Sequence, residues 1–399
     1  MRIAVLSFEY PPETGFGGIG TYSFYQARAL AKLGHDVTVI AGATERGHSE
    51  VEREGVRILR AKLDGWPSRM LERARTRNCW WGVNRIEGAY AAYHSLVKLL
   101  ERQKIDFVEF PECGADGMIV TTLLDIPSAV KFHSPARLIM DIYDTPKIDR
   151  ELTAFVEQIA INQATVRTSC SQFLADEVAN KMAVKQPIHV IPNGIDVEMF
   201  DRDDGIDVYE RFGLPRDGIT VFFANRMEER KGIHLVRDMC FHVMKKYSHV
   251  NFVFAGKDLF GYMEREIQPF IDENGLQDRF RYVGQLDLPS VRAILKVSDI
   301  FLIPSLWENC PYSCIEAMTA GRAIVSSDCG GMPELIEHDQ NGVLARNDDA
   351  PSFIQALERV IEDEPLRDRL GAAARRTVEE RLTDTGIAQK ALAIYEQHL

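Results

Sequence analysis

The chain has 399 residues, of which 45% are hydrophobic and 27% charged, and its formal net charge is −12 at pH 7. This length exceeds what a single hydrophobic core usually organises, so we expect two domains. The acidic balance argues against a protein that coats nucleic acid through a broad basic surface, and an anionic ligand must therefore be bound by local groups.

The composition also bears on location and on metal or disulfide sites. The N-terminal apolar run has the length of a strand and lacks the features of a signal peptide, so we expect a cytoplasmic protein. No apolar run approaches the roughly 18 residues of a membrane-spanning helix. The seven cysteines are scattered, and their spacing indicates neither a disulfide framework nor a zinc site.

Short apolar runs alternate with segments of helical periodicity along the first half of the chain. The pattern predicts a strand over residues 2–8, a helix over 19–33 and a second long helix over 86–100. Further strands are predicted at 36–41, 107–110, 128–132, 166–169 and 188–191. The turn residues of 191–196 and the charged stretch 201–205 interrupt the pattern and place a domain boundary at 196.

A second alternating series follows this boundary. Strands are predicted at 219–225, 251–255, 279–283, 299–303 and 323–326, and helices at 232–247, 262–272, 288–297 and 312–320. Such alternation is typical of parallel sheets covered by helices on both faces. The sequence therefore predicts an α/β protein with two tandem Rossmann-like domains, 1–196 and 197–379, facing across a cleft. A C-terminal helix, 380–399, is expected to pack back on the first domain.

Ligands of open parallel sheets bind beyond the carboxyl ends of the strands, so residues that follow strands are the candidate site residues. Arg226 and Lys231 follow the strand at 219–225. A guanidinium fork together with a mobile ammonium group suits a diphosphate that becomes a leaving group. The alternative is a solvated run of charges, because two glutamates and a third cation lie between them.

A more informative stretch follows the strand at 299–303. Glu308 lies in the loop, Pro311 lies near the start of the next helix and Glu316 lies inside that helix. The helix dipole and the N–H groups of residues 310–312 would form a phosphate seat without a metal ion. The two carboxylates would accept hydrogen bonds from a sugar and a ribose. The alternative is that neither carboxylate binds a ligand, one of them being a charge that the helix dipole favours at the helix N-terminus and the other an exposed glutamate.

Two further candidates belong to the first domain. Gly15, Gly17 and Gly20 form a G-x-G-x-x-G pattern, which is typical of nicotinamide-dependent dehydrogenases. The prolines before them make the loop longer than a dinucleotide turn, and the second strand does not end in an acidic residue, so a loop that closes over phosphate or acceptor fits better. His133 follows the strand at 128–132 and is expected to project into the cleft, with a structural role as the alternative.

One segment of the first domain mixes cations with indoles, as interfacial segments do. Peripheral contact with the inner face of a membrane, or binding of a lipid-linked acceptor, is one interpretation. A solvated loop whose indoles pack on the core is the other. The residues are Arg69, Arg73, Arg75, Arg77, Trp80 and Trp81.

Together these motifs resemble glycosyltransferase family 4, whose members have the two-domain GT-B fold. The resemblance covers nearly the whole chain, with one departure at Asn225, where many members have glycine. The matching residues are Gly17-Gly18-Ile19-Gly20, Gly34-His35-Asp36-Val37, His133, Pro192-Asn193-Gly194-Ile195-Asp196, Arg226 with Lys231-Gly232, Pro304-Ser305, Glu308 with Glu316, and Gly330-Gly331 before Glu334.

The resemblance implies a role for each candidate residue. Arg226 and Lys231 would hold the donor diphosphate, and Glu316 the nucleotide ribose. His133 would contact the donor sugar or the reacting centre. The other donor contacts that the resemblance implies are Leu286 for the base, Gly18 for the phosphate and Gly17 as a further donor-binding residue. The sugar would be held by Glu308 and by the backbone of Asn309, Cys310, Pro311 and Tyr312.

The resemblance further implies a retaining hexosyltransferase that needs no metal ion, and no Asp-x-Asp motif follows a predicted strand. The donor would be a UDP- or GDP-linked sugar, with no other cofactor. The acceptor would be a saccharide or lipid-linked saccharide, as in polysaccharide or glycoconjugate biosynthesis. The alternatives are a sugar phosphorylase or nucleotide-sugar epimerase of the same fold, a nicotinamide-dependent dehydrogenase, and a non-catalytic sugar-nucleotide binding protein.

Overall fold

The computed structural model describes residues 1–15, 17–44, 47–62, 70–73, 78–143 and 145–399. The chain forms two compact units, one made of Met1–Asp196 with Asp384–Leu399 and the other of Val197–Thr383. Each unit contains a mainly parallel sheet with helices packed against it. The α/β fold class predicted from the alternating pattern is therefore confirmed.

The sheet of the first unit has eight strands within the described residues. They are β1 (Arg2–Ser7), β2 (Asp36–Gly42), β3 (Gly47–Arg53), β4 (Val56–Lys62), β5 (Phe107–Pro111), β6 (Ser128–Phe132), β7 (Val166–Ser169) and β8 (Ile188–Val190). Their order is β3-β4-β2-β1-β5-β6-β7-β8, and every pair is parallel except β3 with β4. The inner strands β5 and β6 are buried along their whole length, as expected where a parallel sheet is covered on both faces.

Helices of the first unit connect these strands. They are α1 (Gly18–Lys32), α2 (Trp80–Leu100), α3 (Met118–Leu123), α4 (Ala136–Ile139), α5 (Lys147–Gln163) and α6 (Gln172–Lys181). The buried face of α1 contains Tyr22, Tyr25 and Ala29, three of the residues that its periodicity places on one side. Helix α6 begins after Ser171, whose hydroxyl accepts the backbone N–H of Leu174 at 3.2 Å.

The second unit contains six parallel strands, β9 (Ile219–Ala224), β10 (Val250–Ala255), β11 (Phe280–Tyr282), β12 (Ile300–Ile303), β13 (Ala323–Ser327) and β14 (Val343–Ala345), in the order β11-β10-β9-β12-β13-β14. Its helices are α7 (Val197–Asp201), α8 (Val208–Phe212), α9 (Ile233–Lys246), α10 (Gln268–Glu273), α11 (Leu288–Val297), α12 (Tyr312–Thr319), α13 (Met332–Leu335), α14 (Ala350–Glu362) and α15 (Glu364–Arg381). A large apolar cluster, which includes Phe223, Phe252, Leu302 and Phe353, lies in the core of this unit.

The last helix, α16 (Asp384–Tyr395), belongs to the first unit although it follows the second in the chain. Ala388 and Leu392 pack with the β1 and β2 core, and Tyr395 stacks on Phe107 with a centroid distance of 4.3 Å. Asp384 at the start of α16 forms an ion pair with Lys32 of α1, whose Nζ lies 3.0 Å from Oδ2 of Asp384. Among the helices that the structure describes, none combines the length and the apolar character needed to cross a membrane.

Candidate active site

Arg226 lies two residues after the end of β9, at the carboxyl edge of the second unit's sheet. Its side chain is 47% exposed, and its Nη2 lies 3.1 Å from Oε1 of the buried Glu228. The same Oε1 accepts a hydrogen bond from Arg230 Nη2 at 3.0 Å. Glu228 therefore orients two guanidinium groups at one strand end, although the sequence pattern leaves it as part of a charge run.

Lys231 and Glu308 form a buried ion pair that joins the ends of two adjacent strands, β9 and β12. Burial acts against the charged form of Glu308, but Lys231 and Arg230 outweigh it and hold the pKa of this carboxyl below its usual value. Burial also lowers the pKa of the Lys231 ammonium, and Glu308 opposes that shift. Two residues that the sequence places 77 positions apart are thus in direct contact.

Two glycines allow the backbones around this ion pair to approach closely. Gly232 has a φ of 74°, and a Cβ at this position would lie 2.1 Å from the carbonyl oxygen of Pro304. Gly330 has a φ of 56°, and its Cβ would lie 2.0 Å from the carbonyl oxygen of Glu308. Only glycine fits such positions, so both Lys231 and Glu308 are placed by backbone that cannot accept a side chain nearby.

The segment from Asn309 to Tyr312 leads from Glu308 into α12. Asn309, Cys310 and Tyr312 are buried. Pro311 has an extended backbone and is the N-cap of α12, so the helix begins at Tyr312, the residue where the sequence predicts it to begin. Because proline has no N–H group, the predicted set of donors at residues 310–312 contains at most two.

Glu316 lies within α12, on the helix that begins beside this segment. Burial raises the pKa of its carboxyl group to about 7, and Arg292 lowers it only in part. Arg292 is already held by Asp204, whose carboxylate accepts hydrogen bonds from Nη2 at 2.7 and 2.9 Å. Glu316 is therefore a carboxyl group whose charge changes near neutral pH.

Leu286 belongs to the loop after β11, two strands away from β9. Gly284, with a φ of 69°, turns the chain here, and the carbonyl oxygen of Gly284 accepts the N–H of Gly256 at 2.8 Å. Asp287 then begins α11 by accepting the N–H of Ser290 at 3.1 Å. Leu286 thus lies in a loop held at both ends, at the same edge of the sheet as Arg226 and Glu308.

His133 follows β6 in the first unit and is buried. Its backbone N–H and that of Ser134 donate to the two carboxylate oxygens of Glu112, at 2.9 and 2.5 Å. Burial, with a smaller contribution from Lys131, lowers the pKa of His133 to about 3. The imidazole is therefore neutral at pH 7.

Glu112 is not among the residues predicted from the sequence, although its carboxylate accepts the backbone N–H groups of His133 and Ser134. It is completely buried, and burial followed by the charge of Glu157 raises the pKa of Glu112 to about 8. A glutamate directly after the buried strand β5 is a signal that could have been used, because such residues are rarely buried without a partner.

A buried network links His133 with α1 and α16. The ring of Tyr22 on α1 lies edge-on to His133, with centroids 4.8 Å apart, and its hydroxyl donates to Glu109. Glu109 also accepts hydrogen bonds from Gln26 at 3.0 Å and from the hydroxyl of Tyr395 at 2.9 Å. One carboxylate in the middle of β5 therefore joins the first helix to the last helix, and Tyr22 connects this network to His133.

The glycine loop precedes α1 in the same unit. Gly17 is the N-cap of α1, and a Cβ there would lie 3.1 Å from Oε2 of Glu9. At Gly18 a Cβ would meet no atom within 4 Å, so the space beside the first turn of the helix is open. Gly17, Gly18 and His133 thus lie in the first unit, and the other candidate residues lie in the second.

The segment predicted to contact a membrane is described only in part. Arg69, Arg75 and Arg77 lie outside the described residues. Trp80 and Trp81 begin α2 with 52% and 42% of their surface exposed. The ring of Trp81 contacts Arg85, whose guanidinium carbon lies 5.2 Å from the ring centroid. The two indoles are therefore about half exposed, and membrane contact stays a prediction.

The architecture is shared with solved structures of glycosyltransferases. Sucrose-phosphate synthase from Thermosynechococcus elongatus superposes with a TM-score of 0.77 at 20% identity, covering 100% of this chain and 99% of that one. HepE from Anabaena, in complex with UDP-glucose, gives a TM-score of 0.72 at 17% identity, covering 100% of both chains. The fold is the GT-B fold of glycosyltransferases.

Sequence comparisons narrow the class further. Residues 209–377 match the family model of Glycosyl transferases group 1, and residues 16–199 match that of Glycosyltransferase Family 4. The 2-deoxystreptamine glucosyltransferase of Streptomyces kanamyceticus is 26% identical over 84% of this chain and 88% of its own length. The chain belongs to the glycosyltransferases of group 1 and family 4, as the sequence motifs predict.

Proposed function

We propose that this glycosyltransferase moves a hexosyl group from a nucleotide-diphosphate sugar to a saccharide or lipid-linked saccharide, with retention of configuration and without a metal ion or other cofactor. The observation that carries this proposal is the buried Lys231–Glu308 pair beside Arg226. It combines cations for a leaving diphosphate with a carboxylate for sugar hydroxyls at one sheet edge.

The residues of the second unit divide this task. Arg226 and Lys231 stabilise the charge that develops on the departing diphosphate, and Glu308 accepts hydrogen bonds from the hydroxyl groups of the donor sugar. Glu316 binds the ribose, and the backbone of Leu286 contacts the base. Arg226, Arg230 and Lys231 carry three positive charges against the two carboxylates of Glu228 and Glu308, and this positive balance would take the place of a divalent ion.

The chemical step with retention needs no protein nucleophile. The bond between the anomeric carbon and the diphosphate oxygen breaks, and the acceptor oxygen forms its new bond on the same face. The proton of the acceptor hydroxyl passes to the departing phosphate oxygen. His133, which is neutral at pH 7, is then a hydrogen-bonding partner for the donor sugar rather than a source of charge.

The relatives support a nucleotide-sugar donor and favour a uridine nucleotide as the first to test. HepE from Anabaena, which has the same fold, was solved with UDP-glucose, and a relative of similar sequence is named a glucosyltransferase. A thermal-shift screen with UDP, GDP, ADP and their sugars selects the base, since a ligand that binds only the folded state raises the unfolding temperature.

The test is release of nucleoside diphosphate from the selected sugar nucleotide, measured for the wild type and for Lys231→Met and Glu308→Gln. Each substitution removes an interaction that is strongest when the leaving group carries its charge, so we expect kcat to fall by about 100-fold or more. Lys245→Met and Glu264→Gln change exposed residues of the same unit and serve as matched controls. Activity within a few-fold of wild type in both site variants would show that the site is assigned incorrectly.

A further inference from the structure

A cavity of about 480 Å³ lies within the first unit. Most of its wall surface is apolar, and half of its lining residues have aromatic, aliphatic or alanine side chains. These apolar residues are Phe8, Ile19, Ile40, Ala41, Ala43, Ala61, Trp80, Trp81, Ala91 and Ala92. A volume of this size is within the range of small-molecule sites, roughly 300–1,000 Å³, and a mainly apolar wall is typical of them.

The charged residues of the wall are Glu9, Lys62, Arg85, Glu87 and Asp116. Lys62 donates to the carbonyl oxygen of Thr44 at 3.2 Å. Asp116 is buried, and its Oδ2 accepts the backbone N–H of Phe8 at 2.9 Å. Arg85 contacts Glu157 at 3.4 Å and donates to the sulfur of Cys113 at 3.3 Å. An ionic ligand would have to compete with these contacts, whereas an uncharged apolar group would only replace water on the apolar wall.

The cavity lies where sheets of this type bind ligands. Its wall includes residues at or just beyond the carboxyl ends of β1, β2, β4 and β5, and Ile19 in the first turn of α1. Cys113 of the wall directly follows Glu112, which holds the backbone of His133. The cavity and the candidate residue His133 are therefore supported by the same loop.

We propose that this cavity binds an apolar ring or chain carried by the acceptor, so that the preferred acceptors are amphiphilic: a sugar attached to an aryl, alkyl or isoprenoid group. The inference rests on the proposed function and specifies its acceptor. Trp80 and Trp81, half exposed and with ring centroids 4.7 Å apart, supply aromatic surface to the wall of the cavity.

Ala91 offers a way to fill the cavity without disturbing the core, because it lines the cavity and is only partly buried. Ala91→Phe adds a ring to this wall. His94→Phe adds the same ring to the exposed side of the same helix and is the matched control.

Binding of octyl glucoside, phenyl glucoside and methyl glucoside to the full chain is measured by calorimetry, below the concentration at which octyl glucoside forms micelles. We expect the wild type to bind the octyl or the phenyl compound at least about tenfold more tightly than the methyl compound, which corresponds to burying about two methylene groups. The better ligand identifies a chain or a ring as the preferred group. Ala91→Phe should remove this preference, and His94→Phe should retain it.

Equal affinity for all three compounds, or a preference that survives Ala91→Phe, would overturn the inference. This readout needs no donor, so it is independent of whether the protein releases nucleoside diphosphate. With a working donor, Ala91→Phe should lower kcat/KM for the amphiphilic acceptor at least about tenfold. His94→Phe should keep both this kcat/KM and the rate of donor hydrolysis without acceptor within twofold of wild type.

Discussion

Glu316 shows how burial of a single residue can make substrate binding sensitive to pH. Its pKa is raised to about 7 because the carboxyl group is buried, and only the carboxylate form has all its oxygen lone pairs available to ribose hydroxyls. Above pH 7 the group is mostly ionised, and below pH 7 it is mostly protonated. Ribose binding through Glu316 should therefore weaken as the pH falls.

We predict that the Kd of the preferred nucleoside diphosphate rises as the pH falls from 8 to 6, by up to about tenfold for each pH unit below the pKa. The measurement is a calorimetric titration at several pH values, with wild type and Glu316→Gln. The variant has no titratable group at this position. Any pH dependence of Kd that remains in the variant therefore comes from the nucleotide or from other groups of the protein. A wild-type profile that parallels the variant's would contradict the ribose role of Glu316.

At the scale of elements, the connection between β9 and α9 determines where Lys231 lies. Gly232 ends the short helical turn Glu229–Lys231 in the left-handed region and lies against the end of β12. A side chain here would meet backbone rather than another flexible side chain. The contact between Lys231 and Glu308 therefore depends on a glycine that takes no part in binding.

We predict that Gly232→Ala lowers the unfolding temperature and transferase activity together. Backbone strain alone is expected to cost about 1–3 kcal/mol, and the clash with Pro304 adds to it. Gly275→Ala is the matched control, because Gly275 has a φ of 64° but a Cβ there would meet nothing within 4 Å. Calorimetry should show a larger drop in unfolding temperature for Gly232→Ala than for Gly275→Ala. Equal drops would mean that the backbone can shift to accommodate the new Cβ beside Pro304.

Most elements could be predicted from the sequence because their apolar periodicity is strong. The predicted strand at 128–132 and helix at 288–297 coincide with β6 and α11, and most other bounds differ by one or two residues. The predicted helix at 262–272 differs in kind, since it begins with a π-helical turn, Met263–Ile267, before α10. Periodicity near 3.6 does not distinguish such a turn from an α-helix.

The antiparallel hairpin of β3 and β4 is the clearest part of the fold that the sequence pattern does not predict. Strand β3 reads Gly-His-Ser-Glu-Val-Glu-Arg, with one strongly apolar residue, and it lies at the edge of the sheet. An edge strand does not need the continuous apolar run of an inner parallel strand, so its sequence resembles a loop. Pairing with β4, rather than the character of its own residues, makes this segment a strand.

At the scale of the molecule, the sequence motifs predicted the family and the fold, but not the contacts that support the site. Tyr395 and Glu109 are 286 residues apart, and no local pattern indicates that their side chains meet. The same holds for Glu112 and His133, because each residue alone has a common structural explanation. Such pairs are determined by the topology of the sheet, which brings the carboxyl ends of distant strands to one edge.

The last helix completes the core of the first unit from the far end of the chain. Ile387, Ala388, Ala391, Leu392 and Tyr395 are each at most 7% exposed, and they pack on β1, β5 and their neighbours. Burial of a Leu, Ile or similar side chain contributes roughly 1.5–3 kcal/mol, so several of them together approach the total stability of a domain, about 5–15 kcal/mol.

We therefore predict that a chain truncated after Thr383 keeps the second unit folded and loses the stable fold of the first. Hydrogen exchange of the truncated chain, resolved by proteolysis into peptides, should be fast in β1 and β5. In β9 and β12 the protection should equal that of the wild type. A chain truncated after Glu396 retains α16 and is the control, because residues 397–399 are exposed. Protection of β5 at the wild-type level in the shorter chain would show that the first unit folds without α16, and that the Tyr395–Glu109 contact follows from the fold rather than supporting it.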